Sequence, residues 1–363
     1  MIDKERLARV LRNMEKEHIP CLLVTSPASV AYLTGQWIHP GERMLALMVK
    51  QDGEARLFAN RLFALSGDES LPLTEYDDTD DCIACLAEAL PGGVVGVDKF
   101  WPSQFTLRLM AARPDIRPVV GSRPVDEARL IKDAAFIDRM RASSRANDEC
   151  LRRLIPTLRA GDTEKQVCRR YADFAEELGA LGPSFDPLVC FGPHCAEPHH
   201  GSDNTPLQEN QTVILDLGLN LDGAMSDMTR TVVLGRATDE MKRVYDLVKK
   251  ANEAGRRAVR PGVPMCEIDR AARRVIEEGG YGPYFIHRTG HGIGLEVHEI
   301  PDVSATSQTI AQPGMIFSIE PGIYLPGRFG VRIEDLMLVT EDGGECLNAL
   351  PRDLLSAVPT PTC

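Results

Sequence analysis

The chain has 363 residues, of which 43% are hydrophobic and 26% are charged, a balance that is ordinary for a soluble globular protein. This length is sufficient for two domains of about 150 residues each. The formal net charge of -12 argues against nucleic acid or an anionic membrane as a partner, because both would repel a surface of their own sign. The N-terminal segment carries charges throughout, and no later segment approaches about 18 apolar residues, so we expect a cytoplasmic protein without a membrane span.

The first third of the chain alternates between predicted helices and strands. Apolar residues at helical spacing predict a helix over residues 7–14, and a short buried strand follows at 21–25. Later elements in this part are a helix near 29–33, a hairpin of 44–49 and 55–59, a helix near 81–90 and a strand at 94–97. We therefore expect an α/β domain over residues 1–123.

Residues 113–124 contain three prolines and a glycine, which predicts an interdomain connection and a second domain over residues 124–363. Long helices are predicted in this second domain, at 126–155, 163–178, 239–259 and 266–278. Thr163 and Gln166 have the spacing of a capping box at the start of one of them. Helix pairs that alternate with hairpins predict helices packed on one face of a curved, largely antiparallel sheet, an α+β arrangement.

Residues 212–233 predict a β-hairpin with arms at 213–219 and 229–233. Asp216 and Asp227 lie at equal distances from the midpoint of a symmetric four-residue loop, which would place them directly opposite each other. Opposed residues have Cβ atoms about 5 Å apart, and two carboxylates at that distance would repel by roughly 3 kcal/mol. We therefore expect a positive charge between them.

A second acidic hairpin is predicted at 315–324 and 330–339, around a Pro-Gly turn. Glu320 and Glu334 are equidistant from Gly327, and His291 lies in a glycine-rich segment between the two hairpins. A single strand carboxylate is more often a solvated surface group than a metal ligand. Two pairs with the same symmetry, together with a histidine, indicate a dinuclear metal site instead.

These residues resemble, in order and spacing, the pita-bread metallopeptidases, the family of prolidase, aminopeptidase P and methionine aminopeptidase. The matching motifs are Asp216-Leu-Gly, Ser226-Asp227-Met-Thr-Arg-Thr231, Gly290-His291-Gly-Ile-Gly294, Ile319-Glu320-Pro-Gly322 and Arg332-Ile-Glu334-Asp335. The resemblance covers about residues 125–351 and implies a pita-bread catalytic domain with pseudo-twofold halves. More weakly, Tyr32-Leu-Thr-Gly35 resembles the creatinase-type N-terminal domain that precedes it in prolidases.

The resemblance also implies a role for each ligand. Asp216 would bind one metal ion, Asp227 and Glu334 would bridge both ions, and His291 and Glu320 would bind the other. Glu320 would in addition move the proton of the attacking water. Oxygen ligands with one imidazole suit manganese, cobalt or zinc better than magnesium, and we expect two divalent ions, with manganese favoured.

Five further positions match the family's substrate residues. His199 lies seventeen residues before Asp216 and His298 seven after His291, the spacings of two histidines that contact the substrate. The other three positions, which shape the substrate pocket in the family, are His287, Tyr324 and Arg332. Ala224 departs from the pattern, because many relatives have tyrosine there, so a contact that supports the metal ligands or one in the pocket is expected to be missing.

The implied activity is hydrolysis of the peptide bond before proline, by an Xaa-Pro dipeptidase of the prolidase type acting on small peptides as a homodimer. The alternative is an Xaa-Pro aminopeptidase that acts on longer peptides, and Arg332, on the same strand face as Glu334, would distinguish them by binding a dipeptide's carboxylate. A role of Arg332 in bracing neighbouring carboxylates stays open. A non-peptide hydrolase or lyase, or a non-catalytic binding protein, is a further alternative on this fold.

Overall fold

The structure is a computed structural model in which residues 1–357 are described. The chain divides into two compact units, Met1–Arg129 and Leu130–Cys363. None of the helices in residues 1–357 has the length and apolar character needed to cross a bilayer. Each unit has its own β-structure and its own apolar core.

The N-terminal unit is built on one six-stranded mixed sheet. Its strands, in the spatial order β4-β3-β2-β1-β5-β6, are β1 (Cys21–Val24), β2 (Ala46–Lys50), β3 (Ala55–Asn60), β4 (Leu73–Tyr76), β5 (Gly93–Val97) and β6 (Ile116–Val120). The helices are α1 (Lys4–Lys16), α2 (Pro27–Thr34), α3 (Cys82–Ala89), α4 (Ser103–Ala112) and α5 (Arg123–Leu130), the last of which crosses the boundary between the units. The predicted helices and hairpin of this part are confirmed.

The segment predicted as an interdomain connection is instead part of this unit. It contains β6, which pairs in parallel with β5, and the start of α5. The prolines do not prevent strand formation here, because β6 lies at the edge of the sheet, where a residue without an N–H group is tolerated. Pro118 occupies such an edge position opposite Val95.

The second unit packs helix pairs on largely antiparallel sheets. The helices are α6 (Ala134–Leu154), α7 (Glu164–Glu177), α8 (Asp239–Ala258) and α9 (Met265–Glu278). The long helix predicted over residues 126–155 is wrong, because α5 and α6 are separated at residues 131–133. Asp133 is the N-cap of α6, since its side chain accepts a hydrogen bond from the Phe136 N–H. The predicted capping box of Thr163 and Gln166 is present at the start of α7.

Up to residue 357, the strands of this unit form two main sheets and two small ones. They are β7 (Gly182–Pro183), β8 (Leu188–Phe191), β9 (Gln211–Leu217), β10 (Leu219–Leu221), β11 (Ala224–Met225), β12 (Met228–Leu234), β13 (Gly290–Gly292), β14 (Glu299–Val303), β15 (Ile316–Ile319), β16 (Gly322–Leu325), β17 (Phe329–Arg332), β18 (Asp335–Val339), β19 (Gly344–Cys346) and β20 (Leu355–Ala357). The main sheets have the orders β20-β12-β9-β8 and β14-β13-β15-β18-β19. The small sheets are β11-β10-β7 and β16-β17.

Each main sheet carries a pair of helices, so the unit consists of two similar halves. In the first half Leu151 of α6, Val167 of α7 and Leu215 of β9 belong to one buried cluster. In the second, Ile268 of α9 packs in a cluster with Phe317 of β15. This arrangement confirms the predicted α+β class, with helices packed on largely antiparallel sheets.

The first acidic hairpin turns more tightly than predicted. Leu221 lies opposite Ala224, so the connection contains two residues, Asp222 and Gly223, with φ values of 51° and 76°. Positive φ at both central positions is typical of a type I′ turn, which Asp-Gly favours and which matches the twist of a hairpin. The symmetric four-residue loop expected from the sequence is therefore wrong.

This shorter turn changes the register of the two aspartates. Asp216 of β9 lies opposite Thr229 of β12, and Asp227 precedes β12. Asp227 is consequently a diagonal neighbour of Asp216 and not its direct partner. Diagonal neighbours lie about 7–8 Å apart at Cα, so the pair leaves more room than the sequence predicted.

In the second hairpin the predicted register is confirmed. Leu325 pairs with Phe329 on one side and Ile319 with Asp335 on the other, which places Glu320 and Glu334 opposite each other. Both glutamates lie between strands, where the chain leaves the five-stranded sheet and enters the small sheet β16-β17. Both side chains line the same cavity.

Candidate metal centre

All five predicted metal ligands line one cavity of about 920 Å³ in the second unit: Asp216, Asp227, His291, Glu320 and Glu334. His291 Nε2 lies 3.7 Å from Asp227 Oδ2 and 3.4 Å from Glu320 Oε1. Ligand atoms of Asp227, His291 and Glu334 all lie within 4.8 Å of one another. The two hairpins and the β13 segment therefore converge on one point.

Three carboxylate oxygens in this cluster are buried and have no hydrogen-bond partner among residues 1–357: Asp216 Oδ1, Asp227 Oδ1 and Glu334 Oε1. A buried carboxylate oxygen without a partner is costly, and several of them together require compensation by positive charge. Oxygen donors with one imidazole are suitable ligands for divalent transition metals. The residues present thus fit a pair of bound cations.

The electrostatics of the cluster lead to the same conclusion. Burial, and next the neighbouring carboxylates Glu334 and Asp216, raise the pKa of Asp227 well above its ordinary value. Burial, followed by the charges of Glu320 and Asp216, likewise raises the pKa of Glu334. The pKa of Glu320 is raised to about 7, chiefly by burial. Either protons or cations must occupy this space at neutral pH.

His291 presents its Nε2 atom to the carboxylates because its other nitrogen is engaged. His291 Nδ1 lies 3.1 Å from the Gly292 carbonyl oxygen, which can only accept, so Nδ1 carries the proton. Burial, and next His298, lower the pKa of His291 to about 3, which keeps the ring neutral as a metal ligand requires. A Cβ at Gly290 would lie 1.9 Å from the Ser318 carbonyl oxygen, so glycine is needed where β13 approaches β15.

Two hydroxyl groups that the sequence did not single out orient these ligands. Thr229 Oγ1 donates to Glu334 Oε2 at 2.7 Å and accepts from Arg332 Nε at 3.1 Å. Ser318 Oγ donates to Glu320 Oε1 at 3.2 Å and accepts from the His291 N–H at 3.0 Å. Sequence spacing could have identified both hydroxyls, because each lies two residues from a predicted carboxylate ligand in its own hairpin. Residues two apart on a strand point to the same face.

Arg332 lines the cavity and is almost fully buried. Its Nη2 atom donates to Asp216 Oδ2 at 2.6 Å and its Nη1 atom to the Tyr324 hydroxyl at 2.9 Å. That hydroxyl in turn lies 2.8 Å from His287 Nε2, whose ring is fixed by Nδ1 donating to the Arg288 carbonyl oxygen at 2.7 Å. Arg332, Tyr324 and His287 therefore form one hydrogen-bonded chain that begins at a predicted metal ligand.

The two remaining histidines border the cavity. His298 stands edge-on to His291, with 4.4 Å between the ring centroids. Burial, and next Arg288, lower the pKa of His298, which favours its neutral form. His199 lines the same cavity from the segment between β8 and β9. Ala224 is fully buried in an apolar cluster with Phe136 and does not line the cavity in residues 1–357.

The sequence matches metallopeptidase family M24 over residues 138–341 and the creatinase/prolidase N-terminal domain over residues 6–131. The chain belongs to metallopeptidase family M24. It is 33% identical over 355 residues to an uncharacterized peptidase of Staphylococcus aureus, a match that covers 94% of this chain and 98% of the relative.

Two solved structures show how closely this M24 peptidase follows its relatives. A recombinant prolidase from Thermococcus sibiricus has a TM-score of 0.93 and 33% identity, covering 98% of this chain and 99% of that one. The dipeptidase PepE from Mycobacterium ulcerans has a TM-score of 0.90 and 34% identity, covering 98% and 97%. The creatinase-type N-terminal domain and the pita-bread catalytic domain expected from the sequence are thereby confirmed.

Proposed function

We propose that this M24 peptidase hydrolyses the peptide bond before proline in Xaa-Pro dipeptides, using two divalent metal ions. The observation that carries the proposal is one cavity in which five metal-ligating side chains lie beside a buried guanidinium. The likeness to a prolidase and to a dipeptidase supports the same substrate class. For the metals we propose manganese, with cobalt or zinc as alternatives, because carboxylates dominate the ligand set.

The proposed roles follow from the contacts in the cavity. When bound, two divalent cations supply an activated water and stabilise negative charge on the scissile carbonyl. Asp216, Asp227, His291, Glu320 and Glu334 would hold them. Glu320 would accept a proton from the attacking water and return it to the leaving amine. His298, whose lowered pKa favours the neutral imidazole, would contact the scissile group, and His199 would contact the peptide beside it.

Arg332 is proposed to bind the carboxylate of a dipeptide. Of its five N–H groups, three donate to Asp216, Tyr324 and Thr229. Within residues 1–357 this leaves one N–H group on each terminal nitrogen, in a side chain that lines the cavity. A dipeptide has its carboxylate directly after the proline, within reach of a charge-assisted hydrogen bond. Longer peptides lack that charge at this position.

The contacts of Arg332 also support a second candidate function. Since Arg332 Nη2 already braces Asp216 at 2.6 Å, its role is complete without any substrate contact, and the cavity would then accept Xaa-Pro peptides of greater length. An Xaa-Pro aminopeptidase is therefore the alternative. The direct ion-pair partner of Arg332 is Asp216, and the charge of Arg332 also lowers the pKa of Glu334, one of the two carboxylates expected from the sequence.

One experiment separates the two functions. Metal-loaded protein is assayed on matched Xaa-Pro dipeptides and Xaa-Pro-Xaa tripeptides, with manganese, cobalt or zinc, and then with Arg332→Ala. We expect a higher kcat/KM for dipeptides, and an increase in KM on substitution that is much larger for dipeptides than for tripeptides. Equal losses on both substrates would assign Arg332 to bracing and favour the aminopeptidase. No hydrolysis of either class by protein of verified metal content would contradict both functions.

The homodimer and the cytoplasmic location expected from the sequence are likewise proposals. Light scattering at micromolar concentration tests the first, for which a mass of twice 39.9 kDa is expected. Fractionation of cells that produce the full chain tests the second. A monomeric mass, or recovery outside the cytoplasmic fraction, would contradict the respective proposal.

A further inference from the structure

A second group of metal-ligating side chains lies at the start of α7, in the same unit as the dinuclear centre but with none of its five ligands. Four residues form it, and we name them together the Glu164 cluster: Glu164, His194, His200 and Asp203. One ligand atom from each of the four lies within 4.8 Å of the others. The three loop residues come from the segment between β8 and β9, which also carries His199.

The two imidazoles of the cluster point at one carboxylate. His194 Nδ1 lies 3.0 Å from Glu164 Oε1, and His200 Nε2 lies 3.0 Å from Glu164 Oε2. The rings face each other, with 3.9 Å between their centroids and an interplanar angle of 35°. One imidazole nitrogen therefore lies beside each oxygen of the carboxylate, and ligand atoms of all four residues are close enough to surround one ion.

Glu164 has no lysine or arginine as an ion-pair partner within residues 1–357. Its side chain is 0% exposed, and its ion-pair partners within residues 1–357 are the two imidazoles. The Phe191 and Asp203 N–H groups also donate to it, each at 2.9 Å. An imidazole is positive only when protonated, whereas burial of a carboxylate requires compensation at all pH values where it is ionised. A divalent cation would supply that charge.

We propose that the Glu164 cluster binds one zinc-type transition-metal ion in addition to the two ions of the catalytic centre. Imidazole nitrogens and carboxylate oxygens bind Zn²⁺ at about 2.0–2.2 Å, which separates neighbouring ligand atoms of a tetrahedral site by about 3.3 Å. The 3.0 Å separations in the cluster are close to that spacing. Two imidazoles select against magnesium and calcium, which prefer oxygen ligands.

A metal at this position would fasten the β8–β9 segment to the first turn of α7. His194 and His200 lie on either side of His199, and His200 itself lines the catalytic cavity. The ion would restrict the segment from which His199 reaches the cavity. Its role is therefore structural, and it requires no exchange of ligands with the dinuclear centre.

Zinc stoichiometry tests the inference independently of activity. Protein stripped with a chelator is reloaded with Zn²⁺, desalted and analysed for zinc per chain by elemental analysis. We expect three equivalents for the unsubstituted protein and two for His194→Asn. The matched control is His18→Asn, which changes an exposed histidine of positive φ in the N-terminal unit and should retain three.

Calorimetric titration of the stripped, unsubstituted protein with Zn²⁺ gives the same count without any substitution, and circular dichroism verifies the fold of each variant. Two sites in this titration, or equal zinc content in His194→Asn and the unsubstituted protein, would overturn the proposal. So would loss of all zinc in folded His194→Asn, because the cluster would then be no separate site. Three equivalents without Xaa-Pro hydrolysis would contradict the proposed function and leave this inference intact.

Discussion

Asp227 and Glu334 are the two carboxylates to which the family resemblance assigns a position between both cations. Each is buried and each has one oxygen without a hydrogen-bond partner in the described part of the chain. Asp216 Oδ1 is likewise without a partner there, while Asp216 Oδ2 is held by Arg332 at 2.6 Å and Glu334 Oε2 by the Thr229 hydroxyl at 2.7 Å. A bridging ligand positions two ions, whereas a terminal ligand positions one.

We therefore expect Asp227→Asn and Glu334→Gln to lose nearly all activity and both metals, and Asp216→Asn to be less severe. Metal content by elemental analysis, measured on the same samples as kcat/KM, checks this order. The three substitutions keep the size and shape of each side chain, so differences in activity among the variants do not arise from packing. Equal and mild losses in all three variants would show that the bridging assignment is wrong.

Thr229 is buried and joins Glu334 to Arg332 through one hydroxyl. Thr229→Val keeps the shape of the side chain and removes both hydrogen bonds, so we expect metal affinity or kcat/KM to fall by about 10–100-fold. Thr212→Val is the matched control, because Thr212 is buried on β9 and its hydroxyl has no partner in the described residues. Similar metal affinity in the two variants would remove Thr229 from the support of the site.

His298 and His199 are assigned to the substrate and not to the ions. His298→Ala and His199→Ala should keep both catalytic metals and lower kcat by about 10²–10³, the usual effect of losing one hydrogen bond to the transition state. Metal analysis beside the kinetics separates these roles. A variant purified with a catalytic metal missing would show that its histidine is a ligand.

At the scale of elements, the site depends on the close approach of β13 to β15. His291 reaches the carboxylates because the glycines on both sides of it let the strand lie against neighbouring backbone. A Cβ at Gly290 would meet the Ser318 carbonyl oxygen at 1.9 Å, and one at Gly292 would meet the Ile300 carbonyl oxygen at 2.2 Å. No rotamer change relieves such contacts, because the clashing atoms belong to the backbone.

Gly290→Ala is therefore expected to lower the free energy of unfolding by about 1–3 kcal/mol and to reduce metal binding by displacing His291. Gly343→Ala is the control, since a Cβ there meets nothing within 4 Å and the change should stay within about 0.5 kcal/mol. Chemical denaturation of metal-free protein measures both. Equal free energies of unfolding for Gly290→Ala and Gly343→Ala would mean that β13 can shift away from β15 without loss of stability.

At the scale of the whole molecule, a buried carboxyl group of the metal-free site makes the stability of the fold depend on pH. Burial raises the pKa of Glu320 from its ordinary 4.5 to about 7 in the metal-free protein. The folded chain thus holds this proton more tightly than the unfolded chain does. The resulting stabilisation is fully present below pH 4.5 and is lost as the pH rises through about 7.

We expect the Tm of metal-free protein, relative to that of Glu320→Gln, to fall between pH 4.5 and pH 7. The comparison cancels the titration of His287 and His291, whose pKa values are lowered to about 4 and about 3 and whose contribution to stability has the opposite pH trend. Scanning calorimetry of both chelated proteins at constant ionic strength measures the difference. A difference that is constant, or that rises with pH, would contradict a raised pKa for Glu320.

The sequence by itself determined the features whose cause lies within a few residues. Asp52-Gly53 and Pro326-Gly327 define hairpins, and in the second of these the turn fixed the register of Glu320 against Glu334. Thr163 and Gln166 specified the start of α7 in the same local way. These predictions succeeded because backbone geometry and capping depend on neighbours along the chain.

Tertiary structure decided where those elements meet. Thr229 bonds Glu334 across 105 residues of sequence, and His200 reaches Glu164 across 36, contacts for which no local pattern exists. The proline-rich segment forms β6 and not a linker. A strand at the edge of a sheet tolerates proline, and only the order of the strands shows that β6 lies at an edge. Spacing thus indicated which side chains serve the centre, whereas the packing of two sheets determined their distances, burial and pKa values, because charge and solvation depend on all neighbours in space.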